Sequence, residues 1–183
     1  KKLQPKVALL ENVKGLIIGN AKGFVKQIFA DFNAIGYDCQ LFLLNSSRMG
    51  VPSIRNRVFF IARRRDLDLP KLVLDFSETP VSIEKAFQNI QDHRGIAKTP
   101  PSRAHIWDLC APGDVFSKHN DRGIYFNSIR LNKNYPCPTI LASAGCCYMH
   151  YSEKRRLSTT ELIRVQSFPD DFNFCESDPQ YVI

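Results

Sequence analysis

Val7-Ala8-Leu9-Leu10-Glu11-Asn12-Val13 decides how this chain is read, together with a stretch that one helix separates from it. That second stretch is Leu43-Leu44-Asn45-Ser46, then Gly50-Val51-Pro52-Ser53-Ile54-Arg55-Asn56-Arg57-Val58-Phe59-Phe60-Ile61-Ala62. Val7–Leu10 is a short apolar run of the kind that fills a buried strand. A carboxylate follows it at once, and two guanidinium groups open the later run. The ends of neighbouring strands are where an open α/β sheet places its chemistry. Between the two stretches, Ala21, Phe24, Val25, Ile28, Phe29 and Phe32 recur at helical spacing on one face. Asn20 is the expected cap, and Gly36 suits the left-handed position that ends a helix. Tyr37–Leu44 and Val58–Ala62 are the next strands. The short link through Gly50-Val51-Pro52 makes them antiparallel, so the expected sheet is mostly parallel with a reversed edge strand.

Downstream the character changes. Arg63-Arg64-Arg65 ends the block, and 66–80 is a transition. Ser82 can cap a short helix to about Gln91, with Ile83, Ala86, Phe87 and Ile90 on one side. Residues 93–138 scatter His, Pro, Gly and Asn among short apolar pieces, which predicts an irregular region. Thr139–Ala142 is a candidate strand. Ser158-Thr159-Thr160-Glu161 has the form of a capping box, and the helix it opens stops near Phe168-Pro169.

Composition narrows the classes. The chain has 183 residues, 44% hydrophobic and 23% charged, enough to bury a core. Its net charge of +7 favours a polyanionic partner. No apolar run approaches the ~20 residues of a membrane span, so no membrane association is expected. Lys1-Lys2-Leu3-Gln4-Pro5 has no leader character. The six cysteines form no C-x-x-C pair, and with no secretory signal they are expected to be reduced thiols of a cytoplasmic protein. His93, His105, His119 and His150 show no metal spacing, and no metal site is expected.

Each candidate residue has a bland counterpart. Glu11 reaches a cleft at the carboxyl edge of the sheet, or it is a solvent-facing strand end. Arg55 and Arg57 are two apart at a strand entry and are expected on one face, where they can grip a phosphate or a base edge; otherwise they belong to a charged entry. Pro136-Cys137-Pro138 could be a nucleophile site, but nothing nearby in sequence activates the thiol, and a small residue in a tight turn is the stronger reading. Lys98, Arg103, Lys118, Arg122, Arg130 and Lys133 alternate with Tyr125, Phe126, Tyr135, Tyr148 and Tyr151, a mixture suited to phosphates and base edges as well as to an ordinary surface. Lys154-Arg155-Arg156 adds positive charge at one spot.

In order and spacing these segments resemble the DNA (cytosine-5)-methyltransferase family. Glu11-Asn12-Val13 resembles its Glu-Asn-Val motif. Gly50-Val51-Pro52-Ser53-Ile54-Arg55-Asn56-Arg57 resembles its Gly-Val-Pro-Gln-x-Arg-x-Arg block, with Ser53 where the family has Gln. Arg156-Leu157-Ser158 through Phe168-Pro169 resembles its Arg-x-Leu-(Ser/Thr)-x-x-Glu-x-x-Arg-x-Gln-x-Phe-Pro block, and Pro138-Thr139-Ile140 the strand that closes its recognition region. The family's Phe-x-Gly-x-Gly and Pro-Cys-Gln loops are not among these residues, nor is its closing Gly-Asn-Ala-Val-Pro segment.

The resemblance implies an α/β fold: the C-terminal part of a Rossmann-like methyltransferase sheet plus a small loop-rich target-recognition domain. It implies 1–79 as catalytic domain, 80–152 as recognition domain and 153–183 as a return segment packing on the catalytic domain. The chain is then the C-terminal half of an enzyme, as a shortened chain, a proteolytic product or one subunit whose N-terminal half is a separate chain. The resemblance further implies methyl transfer from S-adenosylmethionine to C5 of a cytosine flipped out of double-stranded DNA, by a bacterial restriction–modification methylase, cytoplasmic or nucleoid-associated. Glu11, Asn12, Arg55 and Arg57 would be its catalytic residues here: a buried Glu11 on the N3 and amine edge, Arg57 on O2 or the catalytic loop, Arg55 in support. Arg130, Lys133, Thr139, Arg103 and Arg122 would contact nucleic acid. A catalytically inactive DNA-binding remnant and an RNA methyltransferase of the same family are the alternatives.

Overall fold

The computed structural model describes residues 3–96, 99, 101–122, 124–141 and 147–174. Lys98, Ala142 and two of the six cysteines, Cys146 and Cys175, lie outside these residues. The chain divides into two compact units, Lys1–Ser46 with Arg55–Ser77, and Ser47–Ile54 with Glu78–Ile183.

The first unit is a three-stranded sheet with one helix. Its elements are β1 (Val7–Val13), α1 (Lys22–Ala34), β2 (Tyr37–Asn45) and β3 (Asn56–Arg64). The strand order is β1-β3-β2, and β3 is antiparallel to both neighbours. β2 and β3 are antiparallel as expected, but the reversed strand lies between the other two and not at their edge. Composition explains this: β3 carries the longest unbroken apolar run, and Val58, Phe60 and Ala62 are fully buried in it. Phe29 of α1 packs edge-on against Phe60, with ring centroids 5.8 Å apart. Helix α1 starts later than its sequence suggests. A 3-10 turn over Gly19–Ala21 precedes it, Ala21 occupies the cap position, and no side chain caps the helix, so Asn20 does not. Gly36 follows the helix at φ +87°, the left-handed conformation that glycine tolerates.

The second unit holds α2 (Ile83–Ala86), α3 (Pro101–Leu109), β4 (Ile129–Arg130), β5 (Tyr148–Met149) and α4 (Thr159–Val165). Strands β4 and β5 pair in parallel. One core gathers Ile83, Leu131, Cys137, Ile140, Leu157, Leu162 and Val165. A second gathers Ile106, Cys110, Phe116 and Met149, with Trp107 and Tyr125 against it. Ser82 caps α2 by accepting from the Lys85 amide, but the helix ends well before Gln91. Two further expectations are corrected. The 93–138 stretch contains the helix α3, which buries Ile106 and leaves Leu109 in solvent, too narrow an apolar stripe to show as helical periodicity. Thr139–Leu141 forms no strand: Cys137, two residues earlier, bridges to Ser53 instead. The capping box at α4 is present in full, with the Ser158 hydroxyl accepting from the Glu161 amide and the Glu161 carboxylate accepting from the Ser158 amide.

Candidate functional site

Register brings the first pair together. Val13 lies opposite Arg57 and Glu11 opposite Phe59, so Glu11 and Arg57 are diagonal neighbours on one face of the sheet. Their side chains meet, Arg57 Nε to Glu11 Oε1, at 2.6 Å. Arg57 also donates through Nη1 to the Asn56 carbonyl at 2.9 Å. The guanidinium is thus fixed at both ends and holds the carboxylate in one orientation. The pair is accessible: the Glu11 side chain is 48% exposed, not buried as the resemblance implied. The physical reason is that no described element of the first unit covers β1 on that face, where Leu9 is also 64% exposed.

The other two candidates of this group stand differently. The Asn12 side-chain oxygen accepts from the Val13 amide at 2.8 Å, which shapes the strand end. Arg55 precedes β3 and is exposed. Its amide donates to the Ser46 hydroxyl at 2.8 Å, and its carbonyl accepts from the Ser46 amide at 3.1 Å. Nothing in these contacts joins Arg55 to the Glu11–Arg57 pair.

In the second unit, several cations chosen from sequence are already engaged. The Arg130 guanidinium stacks 3.7 Å from the Trp107 ring centroid. It donates to the Cys110 carbonyl at 2.8 Å and to the Tyr151 carbonyl at 3.0 Å. Lys133 pairs with Glu84 at 3.0 Å, and that hydrogen bond raises the lysine's pKa. The Thr139 hydroxyl donates to the Ile54 carbonyl at 2.6 Å. Cys137 donates its amide to the Pro52 carbonyl and its carbonyl accepts from the Ile54 amide, so the Gly50–Ile54 block is stitched to Cys137 by main-chain bonds. Arg103 lies over the Tyr125 ring at 4.8 Å. Arg122 is exposed at a turn. Burial pushes the Cys137 thiol up to about 12, which keeps it protonated and unreactive, in line with its reading as a turn residue.

One cluster escaped the sequence reading. Arg155 donates to both oxygens of Glu161, each at 2.7 Å, and through Nε to Glu153 at 2.8 Å. The Glu161 side chain is only 1% exposed. His150 Nδ1 accepts from the Glu153 amide at 3.1 Å, and burial lowers this imidazole's pKa. The neutral ring therefore closes the 150–153 turn. Lys154 pairs with Asp108. The triplet Lys154-Arg155-Arg156 is thus not one open basic patch, since Arg155 is buried as an internal ion-pair partner. The available signal was the capping-box glutamate itself: a Glu at that position is poised to meet a nearby Arg.

The profile of the family described as C-5 cytosine-specific DNA methylase matches residues 1–182. Type II methyltransferase M.BspRI of Lysinibacillus sphaericus is 40% identical over 196 residues, covering 95% of this chain and 43% of that protein. Type II methyltransferase M.NgoFVII of Neisseria gonorrhoeae is 31% identical over 195 residues, covering 95% and 52%. The chain therefore spans about half the length of these relatives. Among solved structures, the Dnmt2 methyltransferase of S. pombe superposes with a TM-score of 0.63 at 14% identity, covering 97% of this chain and 59% of that one, which establishes a shared α/β methyltransferase fold. With its profile match running nearly end to end, the chain belongs to the C-5 cytosine-specific DNA methylase family.

Proposed function

We propose that this chain forms the base-binding and target-recognition portion of a DNA (cytosine-5)-methyltransferase of the restriction–modification type. The observation that carries the reading is the Glu11–Arg57 pair at 2.6 Å on adjacent strands, in a chain of this family. A carboxylate held in one orientation suits the N3 and exocyclic-amine edge of a cytosine turned out of the duplex. Glu11 accepts from the amine and shares a proton with N3, which stabilises the ring as C6 is attacked and C5 becomes nucleophilic. Arg57 positions that carboxylate and supplies a donor for O2, and Asn12 shapes the strand end beside them.

S-adenosylmethionine supplies the methyl group in such an enzyme. The family's loops for that cofactor and for the cysteine nucleophile are not among these residues. The apolar residues that stand exposed on β1, Val7, Leu9, Leu10 and Val13, mark where the remaining part of the catalytic domain packs, in the same chain or in a separate one. Among the described residues no helix is long and apolar enough to cross a membrane.

The test is Glu11→Gln in the methyltransferase containing this chain, read as 5-methylcytosine formed on duplex DNA by mass spectrometry. Turnover should fall by at least about 100-fold, with DNA affinity retained. Unchanged turnover would falsify the assignment.

A further inference from the structure

We propose that Phe126, at the corner of the Tyr125–Ser128 turn, is a DNA-contacting wedge that stacks on the bases of the target duplex while Arg122 holds a flanking phosphate. The proposal rests on the DNA methyltransferase reading and adds a specific contact to it.

The corner is an unusual place for a large apolar side chain. The Ser128 amide donates to the Tyr125 carbonyl at 2.9 Å, closing a four-residue turn whose two central positions are Phe126 and Asn127. Turn corners favour Gly, Pro, Asn, Asp and Ser, which are small or polar. Here a phenylalanine stands 72% exposed, and Ile124 beside it is also exposed. Among the described residues, neither side chain belongs to the two cores of the second unit.

The turn is also held rigidly. Tyr125 has φ +66°, a left-handed conformation that a bulky residue adopts only when its surroundings impose it. Its ring packs on the core of Ile106, Cys110, Phe116 and Met149, with the Arg103 guanidinium over it. On the other side, Ser128 is buried and its carbonyl accepts from the Phe116 amide at 2.8 Å. Val115 and Ile129 extend that pairing as an antiparallel bridge. The turn is therefore tied down at both ends, and Phe126 is presented with little freedom left to lose on binding.

Charge selects the occupant. The corner adjoins a depression of about 490 Å³ lined by His105, His119, Asn120, Arg122 and Tyr125, with Asp121 as its one carboxylate. The nearby Asp114 is neutralised by Lys118 and His119, whose hydrogen bonds pull its pKa down to about 2. Arg122 is exposed, and its amide is fixed by the Asn120 side chain at 2.9 Å. An exposed aromatic ring on a turn that adjoins a depression lined by Arg122, on a chain of net charge +7, matches a base stack and its phosphates better than an apolar protein surface.

The experiment is fluorescence anisotropy of a labelled short duplex with the methyltransferase containing this chain, over a series of salt concentrations. Phe126→Ala should weaken binding about tenfold. It should leave the slope of log K against log salt unchanged, because no charge is removed. Phe126→Trp should retain affinity. Arg122→Ala should lower the slope by about one. Because Phe126 lies in solvent, Phe126→Ala should fold and melt like the wild type, which keeps the comparison interpretable. Wild-type binding with an unaffected Phe126→Ala overturns this proposal alone. No binding by the wild-type chain overturns the DNA reading beneath it as well.

Discussion

Two ion pairs, one in each unit, show how differently the two halves of this chain use charge. Glu11–Arg57 sits on an open sheet, with the carboxylate about half exposed and its partner reaching it from the next strand. Arg155–Glu161 is buried, bidentate and reinforced by the capping box of α4. The first pair orients a carboxylate that remains accessible. The second leaves nothing accessible and joins a turn to a helix N-terminus. The same contrast runs through the surroundings. β1 exposes four apolar residues, whereas the second unit closes its cores and ties Arg130 and Arg155 to carbonyls, a ring and carboxylates. The accessible charge of the Glu11–Arg57 pair therefore sits on an uncovered sheet, and the Arg155–Glu161 charge is architectural.

The comparison breaks if the two pairs prove equivalent in stability. Arg155→Ala leaves Glu161 buried and unpaired, and thermal unfolding of the second unit should show a loss of about 3–5 kcal/mol. Glu11→Gln, the substitution expected to stop turnover, should change stability by less than about 1 kcal/mol, because exposed pairs contribute little. Equal losses would mean that the Glu11 pair is also structural and would remove the physical basis of its catalytic reading.

A smaller effect sharpens the picture of the buried cluster. His150 is neutral in the fold because burial lowers its pKa, and its Nδ1 must stay unprotonated to accept the Glu153 amide. A folded pKa below the unfolded value means that the unfolded state takes up protons first. Stability of the second unit should be fully present above about pH 6.5, the unfolded value, and should fall as pH drops through the lowered folded value. Melting curves at decreasing pH test this. His150→Asn, whose side-chain oxygen can replace Nδ1 as acceptor, should flatten the pH dependence below about 6.5. An unchanged slope would assign the acid sensitivity to other groups.

What the sequence disclosed follows from distance along the chain. β1, β2, β3 and α1 were legible because apolar periodicity is local. The family motifs were legible because their order and spacing are linear. The Glu11–Arg57 contact was not, because it depends on which strand lies between which. Arg130 shows the limit most clearly: sequence registers a cation among aromatics, and only the fold shows that Trp107 and two carbonyls already hold it. Helix α3 was missed because its buried stripe amounts to little more than Ile106, with Cys110 following.

The smallest expected effects come from two caps that look alike in sequence. Asn20 and Ser158 are both favoured cap residues just ahead of an amphipathic run. Ser158 accepts from the Glu161 amide at 3.1 Å and is fully buried, whereas Asn20 lies inside a 3-10 turn and caps nothing. Ser158→Ala should therefore cost about 1 kcal/mol in chemical denaturation. Asn20→Ala should leave the unfolding midpoint of the first unit where it is. The difference has a local cause: Glu161 returns a hydrogen bond to Ser158, while the residue three places after Asn20 is Gly23, which has no side chain to reciprocate. A measurable loss at Asn20 would mean that the start of α1 shifts back by a turn in solution and that the 3-10 segment is not its resting form.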